Sequence, residues 1–178
     1  MQAALIEQTL TLSFNLVESR FLQDILKQII DNYQITPEHL PPQAAAAWYS
    51  TRGCESAKMS AQETREWREA LHQYKSANVQ HLTRWRRHLR IPKEGHYQLA
   101  LKLEDAPILL TALNDHRLLR AATQGIGQSE MDVRSLSSFK ALSPPQQVAL
   151  SEIHFLAAII EEVLHFLPGT PGGWMEAL

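Results

Sequence analysis

Leu10, Leu12, Phe14 and Leu16 alternate with polar neighbours, the period-two pattern of a strand with one buried face. The period then lengthens. Phe21, Leu22, Ile25, Leu26, Ile29, Ile30 and Tyr33 recur at helical spacing through LVESRFLQDILKQIIDNY, and Asn15 with Glu18 three residues on supplies a capping box for that helix. Prolines 37, 41 and 42 cannot lie inside it. PQAAAAWYS predicts a short helix beginning at Pro42 and ended near Gly53. Ser60 and Glu63 form a second capping box, opening a helix of about 30 residues that stops before Ile91-Pro92. YQLALKL, residues 97 to 103, alternates again and is expected to pair with the first strand, since a ribbon covered by helices on one face is stable. Asp105 is placed to cap the next helix, with Pro107 in its first turn and Gly125 closing it. GIGQSEMDVRSLSSFKAL reads as irregular with at most a short turn of helix. Ser143, Pro144 and Gln146 start the last helix, which Pro168-Gly169 ends.

These elements predict a mainly α fold: about five helices packed around the apolar C-terminal helix, with a small two-stranded β ribbon. Residues 1–167 are expected to form one mainly helical domain and residues 168–178 a flexible tail. That tail carries Trp174, Met175 and Leu178 beyond its prolines and glycines, an apolar tip suited to docking on the chain itself, a second copy or a partner protein.

A length of 178 residues suffices for a real core. The formal charge of −2 gives no global attraction to polyanions, so any nucleic-acid role has to be local. Cys54 is the only cysteine, which excludes an intrachain disulfide and a four-cysteine zinc site. The first basic residue is Arg20, and the longest clean apolar run, FLAAII, falls far short of the ~20 residues that span a bilayer. A soluble cytoplasmic protein without a membrane segment is expected.

The local basic candidate is HLTRWRRHLR, residues 81 to 90. At ~100° per residue, Trp67, Leu71, Tyr74, Asn78, Leu82, Trp85 and Leu89 share one stripe, which makes Trp85 a core residue. Arg86 and Arg90 flank that stripe on one side, Arg84 on the other, and Arg87 lies behind. Cations that ring a helix differ from the single basic face of a nucleic-acid reader, although tertiary neighbours of Arg84, Arg86, Arg87, Arg90 and Lys93 could still assemble one.

Other chemistry is sparse. Glu69-Ala-Leu-His72 and Glu162-Val-Leu-His165 have the spacing of di-metal bundle ligands, but Glu69 and His72 point away from the Trp67 stripe toward solvent. On the last helix, Ser151, His154, Glu161, Glu162 and His165 form a thin polar stripe, either a wet edge or the lining of a cleft. Its His154, Glu161 and His165 are spread too far along the helix for one ion. In LLTALNDHRLLRAA, Asn114 and Arg117 fall on the arc of Leu110, Leu113, Leu118 and Ala121. They are candidates for a buried network or a ligand contact, with Asp24 or Glu161 as the acid that a buried Arg117 requires. Cys54 has no identifiable histidine partner. No P-loop, Gly-x-Gly-x-x-Gly or Gly-x-Ser-x-Gly occurs, so no catalytic, cofactor or metal residue is assigned.

The strand leading into LVESRFLQDILKQI, the LLTALNDHRLLRAATQGIG segment with its LNDHRL core, and the terminal apolar helix together resemble an uncharacterised bacterial family catalogued as domain of unknown function two-zero-one-seven. The resemblance covers about half of the chain. Members of that family are labelled regulators, and some are encoded near the adaptor of the Clp protease, so the resemblance implies a regulatory or adaptor-like role and assigns no catalytic residue. A non-enzymatic interaction module with a protein partner or a second copy of itself is therefore the expectation. A nucleic-acid-binding regulator using the basic segment 84–93 and a metal-dependent enzyme are its rivals.

Overall fold

The computed structural model describes residues 1–89, 92–93, 95–131 and 136–167. Five helices of ten residues or more dominate the described residues: α1 (Leu16–Tyr33), α4 (Ala61–Ala77), α5 (Val79–His88), α6 (Ala106–Gln124) and α9 (Pro144–His165). Four short ones join them, α2 (Pro42–Trp48), α3 (Arg52–Ser56), α7 (Gln128–Met131) and α8 (Leu136–Ala141). The chain is mainly α, as its periodicity predicts.

All three capping boxes form. Asn15 accepts from Glu18 N–H at 2.9 Å, Ser60 accepts from Glu63 N–H at 3.2 Å, and Ser143 is bridged by Gln146. Gly125 closes α6 in the left-handed region at φ 61°, where a side chain would be strained. Asp105 departs from its expected role, since its side chain makes no cap bond and faces His81 and Arg84 instead.

The predicted strands pair antiparallel as β2 (Thr9–Phe14) and β4 (His96–Lys102), with Leu10 opposite Leu101 and Leu12 opposite Leu99. The ribbon is wider than two strands. β1 (Gln2–Ile6) adds to β2 and the two-residue β3 (Pro92–Lys93) adds to β4, giving the order β1-β2-β4-β3. β1 escaped the period-two test because Gln2–Ile6 carries four apolar residues in a row and no alternation. Leu10, Leu12, Phe14, Leu99 and Leu101 turn one sheet face toward Leu22, Ile25, Leu26 and Ile29 of α1 and toward Leu82, Trp85 and Leu89 of α5.

α6 packs against α9 and α2, and α1 against α5. α9 contributes Leu156, Ile159 and Val163 to the main core and Ala149, Leu150 and Ile153 to a smaller cluster with Ile126. The helix expected from Ser60 onward is interrupted at Asn78, where α4 ends and α5 begins. Leu82, Trp85 and Leu89 are buried as the stripe requires, while Tyr74 is exposed and its neighbour Lys75 is buried. Gly53 lies inside α3 rather than ending the preceding helix.

Candidate functional site

The most deeply buried charges belong to residues that sequence reasoning passed over. Lys75 of α4 and Asp115 of α6 form an ion pair that is nearly shut off from water, at 2% and 7% exposure. The Tyr33 hydroxyl donates to Asp115 Oδ2 at 2.6 Å, and the Trp48 indole N–H donates to the Asp115 carbonyl at 2.6 Å. The Lys75 ammonium lies 5.4, 5.6 and 6.0 Å from the ring centroids of Tyr33, Trp48 and Tyr49, so three aromatic faces add cation–π attraction to the Asp115 charge. Burial, then Asp115, drives the Tyr33 hydroxyl far above the usual tyrosine range. The same two causes push Tyr49 up to about 12, so both rings stay protonated donors.

A second buried pair joins α6 to α9. Glu152 Oε2 lies 3.2 Å from His116 Nε2 and 2.5 Å from Arg120 Nε. The Arg120 contact is ionic rather than a well-directed hydrogen bond, since its Nε–H is not aimed at the carboxylate. Both clusters tie one helix to another through paired charge, the arrangement that fixes helix register.

These findings correct the sequence reading of LNDHRL. Asn114 is exposed and Arg117 is half-buried, its Nε without a hydrogen-bond partner, while Asp115 and His116 are the buried polar residues. The expected acids, Asp24 and Glu161, are exposed and make no ion pair with Arg117. The arc through Leu110, Leu113 and Leu118 lies about 100° round from the face that α6 buries through Ala106, Leu109, Ala112, Leu113 and His116. Alanines weigh little in a hydrophobic pattern, yet Ala106 and Ala112 are buried here beside Leu109 and Leu113.

The polar stripe of α9 resolves as an edge. Ser151, His154, Glu161, Glu162 and His165 are all exposed, and no group of three or more His, Cys, Asp or Glu among the described residues is placed to hold a metal ion. Cys54 is buried.

The basic segment divides among separate partners. Arg86 Nε donates to the Gln23 carbonyl at 3.0 Å, and Arg84 lies 3.6 Å from Asp105 with His81 beside it. Arg87 is exposed, and Trp85 is fully buried. At the end of α5 the Leu89 carbonyl accepts from Ser19 at 2.8 Å and Gln23 at 2.9 Å, which docks this end on α1. Arg90, the side chain of Lys93 and the whole tail including Trp174 lie outside the described residues.

Described residues line several hollows, among them one beside Arg84 and Asp105 and one beside Glu7 and Glu104. Two adjoining cavities of about 750 and 510 Å³ share Pro37, Glu38 and Arg68, and form a groove between the α2–α3 corner and α4. Arg52 and Tyr49 line the first, Arg65 and His72 the second. Tyr49 Oη stands 3.4 Å from His72 Nδ1 at their junction. His72 is therefore half-buried and turned to this groove, not to open solvent as its helical phase suggested. Arg65, Arg68 and His72 fall within ~60° on α4, a signal visible in the sequence as Arg-x-x-Arg-x-x-x-His. Among the described residues the guanidinium groups of Arg52, Arg65 and Arg68 make no hydrogen bond or ion pair. The acids of the groove are occupied locally: Glu55 accepts from Thr51 at 2.8 Å and Glu69 from Gln73 at 3.5 Å. Glu38 has its carboxyl held below the usual range, chiefly by its own backbone N–H.

Compared with known proteins, residues 6–167 match the model of a family described as Domain of unknown function (DUF2017). The match includes the stretch around Trp48, Cys54 and Trp67, which the sequence resemblance did not reach. No curated protein and no solved structure matches. No described helix is long and apolar enough to cross a membrane.

Proposed function

For a chain that belongs to the Domain of unknown function (DUF2017) family, we propose a non-enzymatic interaction or regulatory module of the cytoplasm. It engages a protein partner through the groove between α2–α3 and α4. The observation that carries this reading is a contrast in how charge is used. The buried ionisable residues Lys75, Asp115, His116 and Glu152 are spent on one another, while the guanidinium groups of Arg52, Arg65 and Arg68 stand exposed on a concave surface without partners among the described residues. Tyr49 and His72 suit a nucleophile and base poorly, because burial and Asp115 push Tyr49 up to about 12 and no third group among the described residues orients the imidazole. The basic segment supports the nucleic-acid reading poorly, since Arg84 and Arg86 are already directed at Asp105 and Gln23.

Affinity purification from native lysate, read by mass spectrometry, tests the proposal with three baits: wild type, Arg65→Gln/Arg68→Gln and Arg87→Gln. A protein retained by wild type and Arg87→Gln and lost from the double variant is the expected result. Retention that ignores the groove substitution, or a measurable turnover lost with Tyr49→Phe, contradicts it.

A further inference from the structure

Resting on the reading of this groove as a partner site, we infer that its ligand is an extended peptide segment bearing spaced carboxylates. Arg65 and Arg68 are separated by one turn of α4, and Arg52 lies across the groove on α3. Each guanidinium offers a planar fork of N–H donors that matches a carboxylate in shape and charge, and none has a hydrogen-bond or ion-pair partner among the described residues. The Tyr49 hydroxyl, which stays protonated, adds a neutral donor at the junction of the two cavities. These donors stand among the exposed carboxylates Glu38, Glu55 and Glu69 of the same lining, so the groove offers spaced cationic points and not a uniform basic surface.

The acidic side chains of the same groove narrow the ligand class. Glu38 sits on the wall shared by both cavities, and its carboxyl remains ionised. A uniform polyanion such as a nucleic-acid strand must lay one of its phosphates beside that charge. A peptide with neutral residues between its carboxylates passes Glu38 at an uncharged position and reaches the arginines on either side. Two connected cavities of this size also suit an elongated ligand better than a compact one.

Fluorescence anisotropy with the full chain provides the test. The probe is a fluorescein-labelled decapeptide of glycine and serine carrying two glutamates four residues apart. Competitors are inorganic phosphate and an unlabelled single-stranded oligonucleotide. Saturable binding is expected, weakened at least about tenfold in Arg52→Gln, the loss of one charge-assisted contact, and further in Arg65→Gln/Arg68→Gln, the loss of two. Arg87→Gln should bind as wild type does, and a peptide with glutamine in place of both glutamates should not bind. Absence of saturable binding, equal loss in Arg87→Gln, or displacement by phosphate or oligonucleotide at lower concentration than by the unlabelled peptide overturns the inference. A lysate partner that still depends on Arg65 and Arg68 would then leave the interaction reading standing while the carboxylate chemistry fell.

Discussion

Replacing Asp115 by alanine removes the one anion that, among the described residues, pairs with Lys75, an ammonium that is 2% exposed. An uncompensated buried charge costs about 3–5 kcal/mol, and the Tyr33 hydroxyl loses its acceptor in the same change. For a chain of this size each kcal/mol moves the melting temperature by about 2–4 °C, so Asp115→Ala should lower it by roughly 6–20 °C. The complementary variant, Lys75→Met, leaves Asp115 with Tyr33 as its remaining side-chain donor and should also destabilise the fold by several °C. Removing both charges in Lys75→Met/Asp115→Leu should restore much of the loss, because an apolar pair of similar volume carries no desolvation penalty. Urea denaturation of the four proteins gives the coupling energy directly. If either single variant costs less than about 1 kcal/mol, or the double variant costs the sum of the two, the buried pair is not the coupled unit described here.

Glu152→Ala, which strands His116 and Arg120 between α6 and α9, should cost about 3–5 kcal/mol. Glu161→Ala on the exposed edge of α9 should stay within about 0.5 kcal/mol, as urea midpoints will tell. The fold favours the neutral hydroxyl of Tyr49, so its contribution is whole below pH 10.0 and is lost as pH rises toward about 12. Thermal melts across that window should fall less steeply in Tyr49→Phe than in wild type. Duplex and single-stranded nucleic acid should bind no more tightly than the ~10⁻⁴–10⁻⁶ M of non-specific contacts at physiological salt. Submicromolar binding with a steep salt slope, lost in Arg86→Ala, would contradict the assignment of Arg86 to the Gln23 carbonyl.

Local rules reached much of the fold. The capping boxes at Asn15, Ser60 and Ser143 depend only on residues three apart, and Leu10, Leu12 and Phe14 alternate in register with Leu99 and Leu101 because the side-chain period of a strand is two. The site was hidden by longer-range causes. The stripe drawn along α4 took in Tyr74, which is exposed, and left out its neighbour Lys75, which is buried because a charge carries no weight in a hydrophobic pattern. Asp115 and His116 went unseen because α6 meets neighbours on two sides through small residues, and its phase cannot be read from leucines alone. Nothing in the sequence says that Tyr33, Trp48 and Tyr49, spread over two elements and a turn, surround one ammonium. The Arg65, Arg68 and His72 face was legible in principle, but its meaning depends on Arg52 and Tyr49 standing opposite.

Chemical-shift mapping on ¹⁵N-labelled protein, titrated with the two-glutamate decapeptide, tests the central assignment of the groove most directly. The expected result is a set of perturbed amides confined to residues 36–38, 45–55 and 61–72, the segments that line the two cavities. Perturbations centred instead on residues 81–89, with the groove amides unmoved, would place the binding surface on the basic end of α5 and contradict the account.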